Sequence, residues 1–163
     1  PKLGRRRSVR RRPAAPAGMR GGWGGSWGGG SGGGGGMGQG GAWVCVGVGL
    51  NDTSEDVTHL ASKLLKLRVF EDDQGRTNGS LAEVSGRVLV VSQFTLYGDC
   101  RKGNRPSFTA AAVPEMGERL YLEFLKALRG LGADPESGRF GADMQVELLN
   151  DGPMTLWLES EGR

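Results

Sequence analysis

The sequence predicts an α+β domain built on a mostly antiparallel sheet with two packed helices. Three observations predict it. Apolar runs of β-formers stand at 43–48 and 87–96, two further stretches repeat apolar residues at helical spacing, and these segments mix without a regular strand–helix–strand alternation. With 163 residues the chain has room for one such domain.

Composition divides the chain before any element is placed. Of its 31 glycines, 17 lie in residues 1–42. That stretch also holds eight of the 21 Lys/Arg and no acid, which leaves 13 bases against all 18 acids in residues 43–163. The formal charge of +3 therefore describes a tail, and the folded part is mildly acidic. A basic globular body that grips nucleic acid by bulk charge is excluded. No apolar run approaches the roughly 20 residues that cross a bilayer, so no membrane partner is expected.

Residues 1–42 read as a disordered Arg/Gly-rich tail. Arg5-Arg6-Arg7 and Arg10-Arg11-Arg12 precede Pro13, Pro16 and a Gly/Ser/Trp tract, which has little apolar surface to offset backbone entropy. Its composition fits an organellar transit peptide for chloroplast or mitochondrion, an RNA-binding arm, or a wrongly joined first exon. Without a transit peptide the expected location is the cytoplasm. The tail is no secretory signal, since it lacks an apolar h-region. Residues 43–160 are the expected domain, and 161–163 its C-terminal end.

Trp43-Val44-Cys45-Val46-Gly47-Val48 predicts a strand buried on both faces. Asn51-Asp52-Thr53 turns into a helix over 54–68, with Thr53 as cap and Asp56 three residues on. Val57, Leu60, Leu64 and Leu67 form its apolar stripe. Arg68-Val69-Phe70 leaves the helix, and Asp72-Asp73-Gln74-Gly75 makes a turn. The run 87–96 is the strongest strand, followed by a polar loop from Gly98 to Arg105. Pro114 suits the first turn of a second helix, where Met116, Leu120, Phe124, Leu128 and Leu131 repeat and Gly130 or Gly132 stops the chain. Runs 144–149 and 154–160 read as strands separated by Asn150-Asp151-Gly152-Pro153.

The inventory of reactive groups is short. Any Ser-His-Asp or Cys-His arrangement must use His59, the sole imidazole, which lies between Glu55 and Lys63 opposite the apolar stripe and reads as a solvated surface residue. Cys45 is packing inside a strand. Cys100, beside Arg101 and Lys102, is a loop cysteine. Two cysteines and one histidine make neither a disulfide framework nor a thiolate or multi-histidine metal centre. No metal and no cofactor is called for.

Four segments remain conspicuous. Ser92-Gln93-Phe94-Thr95 ends an apolar strand with three hydrogen-bonding side chains, or is simply a strand emerging into solvent. Lys102-Gly103-Asn104-Arg105-Pro106-Ser107-Phe108-Thr109 is a basic loop ending in an aromatic, suited to phosphates and a stacked base, or an ordinary solvated loop. Gly138-Arg139-Phe140-Gly141-Ala142-Asp143-Met144 is a tight turn before a strand. Asn150-Asp151-Gly152-Pro153-Met154-Thr155 is a Gly-Pro turn.

Together, and in this order and spacing, these segments make residues 43–160 resemble the D-aminoacyl-tRNA deacylases of the bacterial and eukaryotic type. The likeness is to the type with Ser-Gln before Thr-Leu rather than the related animal enzyme, whose segment begins Pro-Gln-Ala. It implies a homodimer of a β-barrel-like α+β fold that hydrolyses the ester between a D-amino acid and the 3′-terminal adenosine of tRNA, a proofreading step in translation quality control. The resemblance makes Gly152-Pro153 a cis dipeptide inserted into the partner's site, where its carbonyls exclude an L side chain. Glycine passes, so glycyl-tRNA mischarged on tRNA-Ala is also a substrate.

The resemblance further implies catalysis around Ser92, Gln93, Phe94, Thr95 and Thr109, with main-chain N–H groups of Gln93, Phe94 and Thr109 near the ester. The substrate's own 2′-OH assists; a nucleophilic Thr95 or Thr109 is the older alternative. Phe108 would stack on adenine, Met144 would line the adenosine pocket, and Asn150 and Thr155 would hold the Gly-Pro turn. The family's first strand, ending in Gln-Arg-Val, and the hairpin after it have no counterpart in residues 1–42. Three other readings stand beside this one: a non-catalytic RNA-binding protein that uses the Arg/Gly arm, a general small-ester hydrolase, and a degraded deacylase copy with little activity.

Overall fold

The computed structural model describes residues 41–146 and 154–160. Its centre is a three-stranded sheet of β1 (Gly41–Val46), β4 (Arg87–Ser92) and β5 (Pro135–Ser137), in the order β1-β4-β5. Both pairings are parallel: Gly41 to Val46 run beside Arg87 to Ser92, and Val88 to Val90 beside Pro135 to Ser137. The α+β class holds, but the mostly antiparallel sheet does not. Among the described residues antiparallel pairing is confined to the hairpin β2 (Arg68–Glu71) and β3 (Thr77–Ser80) and to two isolated bridges. Among the described residues the central sheet is open, not a closed barrel.

The cause of the misreading is local. Parallel neighbours need a crossover, and each pair here has one through a helix. Between β1 and β4, however, the crossover carries α1 (Ser54–Lys66) and also the β2–β3 hairpin, which breaks the alternation that advertises a parallel sheet. The hairpin itself was hidden by Thr77-Asn78-Gly79-Ser80, a strand with no apolar residue. Its turn matches expectation. Asp72 accepts at Oδ1 from the N–H groups of Gln74 and Arg76, both at 2.9 Å, and Gly75 takes φ +71°, a left-handed conformation that costs glycine little. These bonds, first that from Arg76, hold the Asp72 carboxyl below its usual range.

Both helices pack on one face of the sheet. Alternation along β4 sends Val88 and Val90 to that face, where they meet Val57, Ala61 and Leu65 of α1 and Leu120, Tyr121, Phe124, Leu125 and Leu128 of α2 (Pro114–Gly130). Each Leu or Phe so buried contributes about 1.5–3 kcal/mol. The stripe of α1 is rotated from its expected position, with Leu60 and Leu64 at its rim. Thr53 caps α1 as expected: its N–H and hydroxyl both reach Asp56 Oδ2, at 2.8 and 2.7 Å. Of the two glycines offered as a stop for α2, Gly132 does the work, at φ +91°. Its N–H reaches the Arg129 carbonyl and that of Ala133 the Leu128 carbonyl, both at 3.0 Å, the paired closure of a left-handed helix end.

Three other expectations meet no partner strand among the described residues. Among the described residues the segment 43–48 lies at the edge of the sheet rather than buried on both faces, and Trp43 is exposed. The run 87–96 leaves the sheet at Ser92 and coils into a 3-10 turn, Phe94–Tyr97. Residues 144–146 and 154–160 form no strand, and Met154, Leu156 and Trp157 are exposed. An apolar pattern becomes a strand only when a ladder accepts its N–H and C=O groups. The remaining part of the first run, 147–149, lies outside the described residues, as do residues 1–40 of the tail and Asn150, Gly152 and Pro153. Strand β1 begins at Gly41, just before the expected domain start at Trp43.

Candidate active site at the carboxyl edge of the sheet

Strands β1, β4 and β5 run out at one edge of the sheet, where Val46 lies opposite Ser92 and Ser137 opposite Val90. In parallel sheets this carboxyl edge is where loops gather polar groups around ligands. Two of the conspicuous segments leave the sheet here, and a third is tied to them.

The first is Ser92 to Gly98. The Gln93 N–H donates to the Val46 carbonyl at 2.7 Å and so prolongs the β1–β4 ladder by one rung. This corrects the expected donor set: the Gln93 main-chain N–H is already committed. Its side chain turns forward instead, and Nε2 donates to Thr95 Oγ1. The 3-10 turn that follows leaves the N–H groups of Phe94 and Thr95 without intrahelical acceptors. The turn fits closely over the β1 exit. A Cβ on Gly47 would stand 3.2 Å from the Gln93 carbonyl oxygen and from Leu96 Cβ, and one on Gly49 would stand 2.7 Å from the Tyr97 hydroxyl.

The second segment is the loop 99–109. Asp99 and Ser107 form an antiparallel bridge, with N–H···O distances of 2.8 and 2.9 Å. Arg101 locks the base of the loop. Its Nε and Nη2 donate to Asp99 Oδ1 and Oδ2 at 2.8 and 2.7 Å, and its own N–H reaches Oδ1 at 3.0 Å. These bonds hold the Asp99 carboxyl down at about 2. The bridge delivers Phe108 edge-on to Phe94, with ring centroids 5.1 Å apart and planes at 69°. Beneath the ring, Gly98 leaves the space that Phe108 needs: a Cβ there would lie 3.1 Å from Phe108 Cε1. Past it, Ser107 Oγ and Thr109 Oγ1 are 3.4 Å apart, and among the described residues the Thr109 N–H has no acceptor. Phe94 and Thr109 are both exposed.

The third segment follows β5. Gly138 N–H donates to the Val90 carbonyl at 3.3 Å, and Phe140 turns back onto Gly117 and the Tyr121 ring, whose centroid is 6.0 Å away. The Tyr121 hydroxyl donates to the Val90 carbonyl at 2.9 Å, and burial pushes its pKa up. Met144 folds over Gly138, so close that a Cβ there would stand 2.6 Å from Sδ. Thr155 is exposed. Asn150, Gly152 and Pro153, with the cis state expected of their turn, lie outside the described residues.

The reactive inventory stays sparse. His59 lines a shallow depression on α1 with Ser54, Glu55 and Thr58. Burial raises the pKa of the Cys45 thiol, and Cys100 is exposed. Among the described residues no three His, Cys, Asp or Glu side chains gather to hold a metal. Sequence reasoning missed Asp99, Arg101 and Tyr121 as shapers of the edge. The signal for the first two was the Asp-x-Arg spacing beside a Pro-terminated loop.

Fold and edge together define an α+β protein in which two polar loops meet at the carboxyl edge of a parallel sheet through Phe94 and Phe108. Comparison with known proteins carries this further. A model of the D-Tyr-tRNA(Tyr) deacylase family matches residues 35–159, and the chain belongs to that family. It is 57% identical over 121 residues to the D-aminoacyl-tRNA deacylase of Desulfatibacillum aliphaticivorans, covering 74% of this chain and 83% of that one. The D-aminoacyl-tRNA deacylase of Thermosipho africanus (strain TCF52B) is 50% identical over 123 residues, covering 76% and 83%. Among solved structures, the c-Myc DNA Unwinding Element Binding Protein superposes with a TM-score of 0.67 at 41% identity, over 71% of this chain and 79% of that one. A probable eukaryotic D-amino acid tRNA deacylase shares the fold, with a TM-score of 0.58 at 21% identity over 67% and 79%. No helix of the described residues is long and apolar enough to cross a membrane.

Proposed function

We propose that this chain hydrolyses the ester of D-aminoacyl-tRNA, releasing the D-amino acid and tRNA, and spares L-aminoacyl-tRNA. One observation carries the reading. A chain at least half identical to D-aminoacyl-tRNA deacylases brings its 92–98 and 99–109 segments together at one sheet edge through the Phe94–Phe108 contact.

The chemistry suits such a site. An aminoacyl ester is already activated, so water can attack its carbonyl carbon without a histidine base. The carbon–oxygen bond to the ribose breaks, and the departing oxygen takes a proton. The substrate's 2′-OH assists these transfers. The developing oxyanion is met by N–H groups of Phe94, Thr95 and Thr109, each such donor contributing about 2.7–4 kcal/mol. Gln93 fixes the Thr95 hydroxyl, and Ser92 sets the point where the chain leaves the sheet. Phe108 stacks on the terminal adenine and Met144 borders its pocket.

Handedness is read by backbone. Gly152-Pro153, held by Asn150 and Thr155, enters the site of the second copy in a homodimer and presents carbonyl oxygens where an L side chain would stand. A wall of carbonyls rejects every L residue by clash and desolvation, whatever its side chain. Glycine passes, so glycyl-tRNA mischarged on tRNA-Ala is cleaved too. The setting is proofreading in the cytoplasm.

The test uses the full chain and D-tyrosyl-tRNA ending in adenosine or 2′-deoxyadenosine. Hydrolysis of the first and at least tenfold slower hydrolysis of the second supports the reading; no hydrolysis of either overturns it. Gly152→Ala or Pro153→Ala should relax chirality more than it slows cleavage of the D-ester.

A further inference from the structure

The loop that delivers Phe108 carries two cations that the ester chemistry does not use. Arg101 is spent on Asp99 through a bidentate ion pair. Lys102 and Arg105, by contrast, are exposed and take part in no ion pair among the described residues. Between them Gly103 turns the chain at φ +78°, with open space where a Cβ would stand. The loop is closed at its base by the Asp99–Ser107 bridge, so the two cations sit on a stapled projection rather than a free strand. Ser107, the closing residue, directly precedes Phe108.

Charge makes this projection distinctive. Residues 43–163 hold 13 bases against 18 acids, so an anionic partner is repelled by the body as a whole and must find a local cation. Asp99 would cancel a third charge at the base but is already bound to Arg101, which leaves the tip uncompensated. An ammonium and a guanidinium set beside an aromatic, on an acidic domain, suit a backbone of phosphodiesters leading to a stacked base.

We infer that Lys102 and Arg105 bind the phosphodiester backbone of aminoacyl-tRNA just inside its 3′-terminal adenosine, and so set affinity for the nucleic acid without touching the ester. The inference rests on the deacylase reading and deepens it. An anchor of this kind lowers KM and leaves kcat alone, because it holds ground state and transition state equally.

The experiment compares the full chain with its K102Q/R105Q and K102R/R105K variants on two substrates. One is D-tyrosyl-tRNA. The other is D-tyrosyl-adenosine, which has the ester and the ribose but no phosphodiester. For K102Q/R105Q, KM for the tRNA should rise about 3- to 30-fold with kcat unchanged, since two exposed charge contacts are removed. The slope of log(kcat/KM) against log[salt] should flatten by about 1.4–1.8, the release expected for two phosphates. D-Tyrosyl-adenosine should be cleaved as by the wild type, and K102R/R105K should keep wild-type KM on tRNA. An unchanged KM and salt slope on tRNA, or an equal loss on both substrates, overturns the anchor. Failure of the wild type to cleave D-tyrosyl-adenosine and D-tyrosyl-tRNA alike would instead overturn the deacylase reading beneath it.

Discussion

Phe94 is exposed over 58% of its surface, yet its edge contact with Phe108 is the main described link between the two loops of the site. Truncating Phe94 to alanine should therefore cost both stability and substrate binding. Roughly two-fifths of the side chain is covered, and full burial of Phe is worth about 1.5–3 kcal/mol, so packing contributes about 0.6–1.3 kcal/mol. The edge-to-face pair adds about 0.5–1.5 kcal/mol. Phe94→Ala should thus lower urea-measured stability by about 1–3 kcal/mol. In a cycle with Phe108→Ala, the two single losses should exceed the double loss by the pair term. Kinetics supply the sharper readout. If Phe108 stacks a base, its removal raises KM for D-aminoacyl-tRNA about 5- to 150-fold, the equivalent of about 1–3 kcal/mol. Phe94→Ala should raise KM severalfold when Phe108 is present and leave it unchanged when Phe108 is alanine. An equal effect of Phe94→Ala in both backgrounds would refute the idea that Phe94 acts by positioning Phe108.

Three further outcomes follow from the same edge. In Gly138→Ala, the new Cβ meets, among the described residues, only the flexible end of Met144, Sδ at 2.6 Å and Cε at 3.1 Å. Thermal stability should fall by under about 1 kcal/mol, while the displaced Met144 shifts KM for D-aminoacyl-tRNA severalfold. Asp99 should titrate near 2, because the Arg101 side chain and then its backbone N–H bind its carboxylate. Its carboxyl pKa is lower folded than unfolded, so its stabilisation is complete above about 4 and fades as pH falls through 2. The Asp99 carboxyl carbon signal in an NMR titration reads this, and a midpoint near 3.8 would contradict the ion pair. Tyr121→Phe removes a buried bond of 2.9 Å to the Val90 carbonyl. That carbonyl still receives Gly138 N–H at 3.3 Å, so urea unfolding should register only about 1 kcal/mol.

What the sequence disclosed, and what it withheld, follows from how local each signal is. The Thr53–Asp56 cap, the Asp72 turn and the existence of two amphipathic helices depend on neighbours within a few residues and can be read directly. The α1 face that is buried, centred on Ala61 and Leu65, is instead set by what packs on it. Strand direction cannot, because it depends on which strand lies alongside. Thr77–Ser80 forms half a hairpin with no apolar residue, while Met154 to Trp157, rich in apolar residues, forms no strand. At the site, the polar ending of β4 stood out as soon as an apolar strand closed on Ser92-Gln93. That Gln93 spends its N–H on Val46 is a tertiary fact, invisible until β1 is placed beside β4. The same holds for Arg101, an apparent free cation that Asp99 neutralises.

The most direct measurement is release of labelled amino acid from D- and L-tyrosyl-tRNA, side by side, by the purified full chain. The account predicts rapid release from the D-ester and none above the spontaneous rate from the L-ester. Equal release from both, or release from the L-ester alone, would contradict it.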